Sequence, residues 1–103
     1  MKVEIGDLST LPRDRGIRVT VGDERIAMFR IGNDVYAIGD VCSHAEASLA
    51  EGEVFGTEVE CPRHGSEFDL TTGEPRSLPA TVAVPTYEVM IEDNVVFLNM
   101  GDS

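Results

Sequence analysis

The sequence predicts an all-β fold in which antiparallel strands form a base and the middle of the chain is an insertion crowning it. Three observations support this. Short β-rich runs are separated by turn signals every several residues. No segment carries a long helical period. Strands before residue 39 and after residue 80 frame a middle stretch that holds every cysteine and histidine of the chain.

Taken in order, Val3-Glu4-Ile5 reads as a short first strand, and Asp7 to Asp14, with Leu8, Leu11 and Pro12 among polar residues, as an irregular connection. Ile17 to Val21 alternates apolar and polar, as a half-buried strand should. Gly22-Asp23 is a hairpin turn. Arg25 to Ile31 continues as a strand with Ile26, Met28 and Phe29 as inward candidates. After a turn at Gly32-Asn33-Asp34, the strand Val35 to Ile38 leads into the middle stretch. There, Ala45 to Ala50 is expected to hold a short helical turn that Gly52 stops. Glu53-Val54-Phe55 and Glu58-Val59-Glu60 are expected strands around a turn at Gly56-Thr57. Ser66 to Leu70 reads as extended, Thr72-Gly73-Glu74-Pro75 as a turn and Ser77 to Ala80 as a loop. The end is a hairpin: Thr86 to Ile91, a turn at Glu92-Asp93-Asn94, then Val95 to Met100. Alternation places Tyr87, Val89 and Ile91 on one face, expected to pack into the core.

The 103 residues suit one small domain, 1–103, whose core is thin enough for a metal to help hold it. At 42% hydrophobic residues the chain is expected to be globular rather than disordered. No apolar run approaches the roughly 18 residues that span a membrane, and Met1 to Asp7 lacks the apolar stretch of a signal peptide. The cytoplasm is therefore the expected location, where a disulfide is disfavoured. A formal net charge of −11 argues against nucleic acid and anionic membranes as partners. It suits docking on a basic protein surface, and equally suits simple solubility.

The chemistry lies in Cys42-Ser43-His44, sixteen intervening residues, and Cys61-Pro62-Arg63-His64, which use up both cysteines and both histidines. Three readings compete. Two ordinary buried cysteines and two unrelated histidines would have to fall into Cys-x-His and Cys-x-x-His by chance. A structural zinc site would accept this donor set, yet common zinc patterns pair Cys with Cys and His with His, whereas each loop here supplies one of each. A 2Fe–2S cluster with two histidines on one iron uses that mixture directly. Two loops then approach from opposite sides, each giving a thiolate to one iron and an imidazole to the other.

Cys42-Ser43-His44 with Cys61-Pro62-Arg63-His64-Gly65-Ser66 resembles the Rieske iron–sulfur family. In size the chain resembles the small ferredoxins of bacterial aromatic-ring-hydroxylating dioxygenase systems. Glu67-Phe68-Asp69, Thr72-Gly73, Leu78-Pro79-Ala80 and the terminal hairpin extend the likeness over nearly the whole chain. The resemblance implies three stacked antiparallel sheets with a cluster-binding subdomain at about 40–79. It implies one 2Fe–2S cluster per chain, ligated by Cys42, His44, Cys61 and His64, with both imidazoles bound through Nδ1 and Nε2 facing solvent. Leu78-Pro79 would shield one side.

Two neutral histidines leave the oxidised cluster formally neutral, so an added electron costs less than on a four-thiolate centre. Rieske centres accordingly span about −150 to +300 mV. High-potential members carry an extra disulfide between the loops and a tyrosine donor; here there is no spare cysteine, and Phe68 replaces the tyrosine. Ser66 matches their serine. One donor kept and one lost points to the low-potential end.

The function so implied is one-electron transfer, not catalysis, from a flavin-dependent NAD(P)H reductase to a terminal oxygenase of aromatic hydrocarbon catabolism, with the chain a monomer. Glu46, Glu51, Glu53 and Glu67, near the ligand loops in sequence, are expected to steer docking. The alternatives are a Rieske small subunit of another oxidoreductase complex and a structural zinc-binding interaction module.

Overall fold

The computed structural model describes residues 1–43, 46–63, 65–78 and 80–100. Among the described residues nine strands follow in order: β1 (Lys2–Asp7), β2 (Gly16–Val21), β3 (Glu24–Ile31), β4 (Asp34–Gly39), β5 (Glu53–Phe55), β6 (Glu58–Glu60), β7 (Glu67–Asp69), β8 (Thr86–Glu92) and β9 (Val95–Asn99). The expected strands are all present; β1 to β4 and β8 run longer than the sequence marks, β5 and β6 match it, and β7 and β9 are shorter. Every named pairing is antiparallel.

The base is one six-stranded sheet in the order β1-β9-β8-β4-β3-β2. Its two halves, β1-β9-β8 and β4-β3-β2, are joined in the ladder by a short pairing, Ala37 opposite Tyr87 and Ile38 opposite Thr86. So narrow a seam lets the sheet curl, and the two halves with the separate sheet β5-β6-β7 make up the three expected layers. The strands that pair across the seam are β4 and β8, the last before the insertion and the first after it. The middle of the chain therefore leaves and re-enters the base at one place, as the sequence order suggests.

Two hydrophobic clusters share β3. Ile26 and Met28 face inward between the halves of the base with Leu8, Leu11, Val96 and Leu98. Ala27 and Phe29 face the insertion with Ile38, Leu49, Val59, Phe68, Leu70 and both cysteines. The inward candidates Ile26, Met28 and Phe29 are all buried, and because β3 is covered on both faces Ala27 is buried with them. Fully burying side chains of the size of Phe29 or Phe68 is worth about 1.5–3 kcal/mol each, so the insertion has a core of its own built on the base.

Two expectations are corrected. Ile91 is 40% exposed, while Tyr87 and Val89 pack against the base core. Ladder pairing of β8 to β4 stops at Tyr87, leaving the far end of the strand with β9 alone. The helical turn is a single 3-10 turn at Leu49–Glu51, later than the sequence places it, and Gly52 ends it as expected. In the terminal hairpin Asp93 and Asn94 both have positive φ, 50° and 69°, which matches the right-handed twist of the flanking strands.

Candidate metal centre

Cys42 follows β4 and Cys61 follows β6, and the same backbone device shapes the chain after each. The Cys42 N–H donates to the carbonyl of Ala47 at 3.0 Å, and the Cys61 N–H donates to that of Ser66 at 2.7 Å. Each cysteine thus opens a loop closed onto it by the carbonyl five residues later. Gly65, at φ +78°, supplies the left-handed step that brings the second loop round, and its N–H returns to the Cys61 carbonyl at 3.0 Å. Both cysteines are buried, in the same apolar cluster, and do not form a disulfide. Of the four expected ligands the structure brings these two together. His44 and His64 lie outside the described residues, as does Pro79.

A third loop, at about residues 77–82, where the resemblance implies that Leu78-Pro79 shield one side, ties the two together. Ser43 Oγ donates to the Val82 carbonyl. The Ala80 N–H donates to Ser66 Oγ at 3.0 Å, and the Glu67 N–H to Ser77 Oγ at 2.9 Å. Ser66 is fully buried, so its hydroxyl anchors this third loop while its carbonyl closes the second. Leu78 and Val82 on the third loop are 77% and 62% exposed, giving the ligand end an apolar rim.

The loops rest on two buried carboxylates. Asp40, two residues before Cys42, accepts hydrogen bonds from Ser48 Oγ at 2.6 Å and the Ala50 N–H at 3.1 Å. Asp69, at the end of β7, accepts from Thr71 Oγ1 at 2.6 Å, Arg76 Nη2 at 2.8 Å and the Thr71 N–H at 2.8 Å. The Thr71 hydroxyl, then Arg76, then the Thr71 amide hold its pKa down to about 2 from an ordinary 3.8. Its stabilisation is therefore complete above roughly pH 4 and is lost as pH falls toward 2. Urea unfolding should become easier between pH 5 and pH 3 in the wild type, by roughly 1 kcal/mol. Asp69→Asn should be less stable at pH 5 and show a smaller drop; equal drops in both proteins would refute the assignment.

Neither carboxylate network is apparent from residue spacing, because the donors Ser48, Ala50 and Arg76 lie seven to ten residues away. A carboxylate flanking a turn is also an ordinary sequence feature.

The donor chemistry fits a 2Fe–2S centre. Two buried thiols in one apolar cluster head separate, backbone-closed loops, so each loop could supply one thiolate. Stacked antiparallel sheets with two such loops define an iron–sulfur electron-transfer domain. The chain belongs to the Rieske [2Fe-2S] family, whose domain matches residues 1–88.

Among its relatives are ferredoxins of aromatic dioxygenase systems. The anthranilate 1,2-dioxygenase ferredoxin subunit of Burkholderia cepacia is 38% identical over 97 residues, covering 94% of this chain and 90% of that protein. The ferredoxin of carbazole 1,9a-dioxygenase from Nocardioides aromaticivorans IC177 superimposes with a TM-score of 0.92 at 33% identity, over 95% of this chain and 96% of that one. The ferredoxin in a complex of reduced oxygenase and oxidized ferredoxin in carbazole 1,9a-dioxygenase does so with a TM-score of 0.89 at 36% identity, over 94% and 91% of the two chains.

Proposed function

We propose that this chain is the ferredoxin component of a ring-hydroxylating oxygenase system, a one-electron carrier between a flavin-dependent NAD(P)H reductase and a terminal oxygenase. The observation that carries the reading is the pair of matching cysteine-headed loops in a chain similar, over nearly their full length, to ferredoxins of such systems. Cys42, His44, Cys61 and His64 would hold the 2Fe–2S cluster, which supplies one-electron redox chemistry when bound. Phe68 is fully buried and offers no hydroxyl, in keeping with a potential near the negative end of the Rieske range. The carrier is read as a cytoplasmic monomer.

The chain's own contribution is to hold the ligand end rigid and present it to partners. Its charge there is divided. On the outer face of the small sheet Glu53, Glu60 and Glu67 stand directly opposite one another across β5, β6 and β7. The neighbouring carboxylates Glu58 and Asp69 are bridged by Arg76, but among the described residues no cation pairs with the row of three. Like charges in register destabilise a sheet, so an uncompensated row at the ligand-loop end is what a basic docking partner would explain. Glu46 and Glu51, expected to act with Glu53 and Glu67, instead share an open cleft of about 600 Å³ with Arg18, Arg25 and Arg63. The steering surface is thus the sheet face rather than every glutamate near the ligands.

Replacing Glu60 by glutamine should raise stability by roughly 0.5 kcal/mol, because two like-charge contacts are relieved at a partly exposed site. The same change should slow reduction by the reductase or oxidation by the oxygenase at low salt. If neither rate depends on ionic strength, the steering role fails. The cofactor is tested on aerobically purified protein, which should be red-brown and give a Rieske-type EPR signal on reduction. Zinc in a colourless protein would overturn the proposal, and inseparable co-purification with a larger enzyme would favour the small-subunit alternative.

A further inference from the structure

We propose that Asp40 positions the first ligand loop and that, with Arg25, it forms a charge couple setting the potential of the bound cluster. The inference rests on the reading of Cys42 as a ligand. Asp40 is wholly buried, and its polar atoms bind the far end of the loop that opens at Cys42. Its carbonyl accepts the Leu49 N–H at 2.7 Å, and its Oδ1 accepts Ser48 Oγ at 2.6 Å and the Ala50 N–H at 3.1 Å. Val41 bridges to Ser48 inside that ring, and the Asp40 N–H donates to the Arg25 carbonyl at 2.9 Å. The loop is therefore closed on Asp40 and fastened by it to β3.

The charges are unequally placed. The Asp40 carboxylate is desolvated, whereas its partner Arg25, with Nη2 3.3 Å from Oδ2, has a side chain 48% exposed to water in the cleft beside Pro62 and Arg63. Water screens the cation more than the anion, so a net negative field remains inside the protein two residues from Cys42. Such a field opposes an added electron, and the exposed Arg25 limits how strongly. Asp40 and Arg25 therefore act on the potential with opposite sign, although they share one ion pair.

That opposition makes a test that a purely structural role would fail. The loaded wild type, Asp40→Asn, Arg25→Gln and Arg18→Gln are titrated spectroelectrochemically at neutral pH, with iron and acid-labile sulfide measured on each. Asparagine can still accept from Ser48 and Ala50 while removing the charge. At a fixed ambient potential the reduced-to-oxidised ratio should rise about threefold or more in Asp40→Asn and fall about as much in Arg25→Gln. Arg18 lines the same cleft but pairs with no carboxylate among the described residues, so Arg18→Gln should change the ratio little. Shifts of the same sign in the two pair variants, no shift, or an equal fall in Arg18→Gln would overturn the proposal. If Asp40→Asn does not load, Arg25→Gln against Arg18→Gln still decides it, since both residues are exposed. A wild type lacking iron and sulfide would sink the ligand reading itself, whereas a loaded wild type with no opposed shifts would sink only this inference.

Discussion

Cys61→Ala should give a colourless protein whose iron and acid-labile sulfide fall to roughly a tenth of wild type or less, because metal sites of this kind need every ligand deprotonated and in place. The same loss is expected for Cys42→Ala. His44→Ala and His64→Ala should abolish the Rieske-type EPR signal of the reduced protein even where some iron is retained. The stability consequence is larger than the side chain alone suggests. Cys61 is buried among Val59, Phe68 and Leu70, so removing its sulfur leaves a small void. Losing the cluster also releases the cross-link between two loops otherwise joined through the serine bonds of the third loop, Ser43 to Val82 and Ala80 to Ser66. The thermal midpoint of Cys61→Ala should therefore fall below that of Ser66→Ala, which breaks one of those bonds but leaves the ligands. Cys61→Ala protein that keeps its colour and signal would remove Cys61 from the ligand set.

Much of this architecture is legible in the sequence because each element carries a local signal. The terminal hairpin pairs alternating runs across Asp93-Asn94, and the ligand stretch is marked by residue types used nowhere else in the chain. What is not legible depends on a second layer. Alternation in β3 correctly sends Ile26 and Met28 to one side, but the burial of Ala27 on the other follows only once Leu49, Val59 and Phe68 lie over it. Ile91 looks identical in pattern to Val89; its exposure comes from where β4 stops pairing, which no feature of β8 records. The two cysteines stand out as candidate ligands from spacing. The residues that hold their loops do not, because Ser43, Ser48, Ser66 and Asp40 are ordinary turn residues until the fold brings Val82, Ala80 and Arg25 to them.

Gly73 offers the sharpest test of how that third loop is held. It sits at φ +77°, and a Cβ built there would overlap the Val84 carbonyl oxygen. The approach cannot relax cheaply: the Gly73 carbonyl accepts the Val84 N–H at 2.9 Å, and the Gly73 N–H donates to the Asp69 carbonyl at 2.7 Å. Alanine would thus incur left-handed backbone strain of about 1–2 kcal/mol and an overlap with fixed backbone of about 1–3 kcal/mol more. Gly56 separates the two terms, since it has φ +61° and nothing within 4 Å of its Cβ position. Gly56→Ala should therefore cost about 1 kcal/mol, against about 3 kcal/mol or more for Gly73→Ala. The thermal midpoint should therefore fall roughly 10 °C further in Gly73→Ala than in Gly56→Ala for a chain of this size. Because Val84 ends the segment whose Ala80 and Val82 grip the ligand loops, Gly73→Ala should also lose its cluster faster on standing, while Gly56→Ala should not. Equal midpoints for the two variants would mean that the Gly73–Val84 contact does not constrain the molecule, and that the third loop is held by its serine bonds alone.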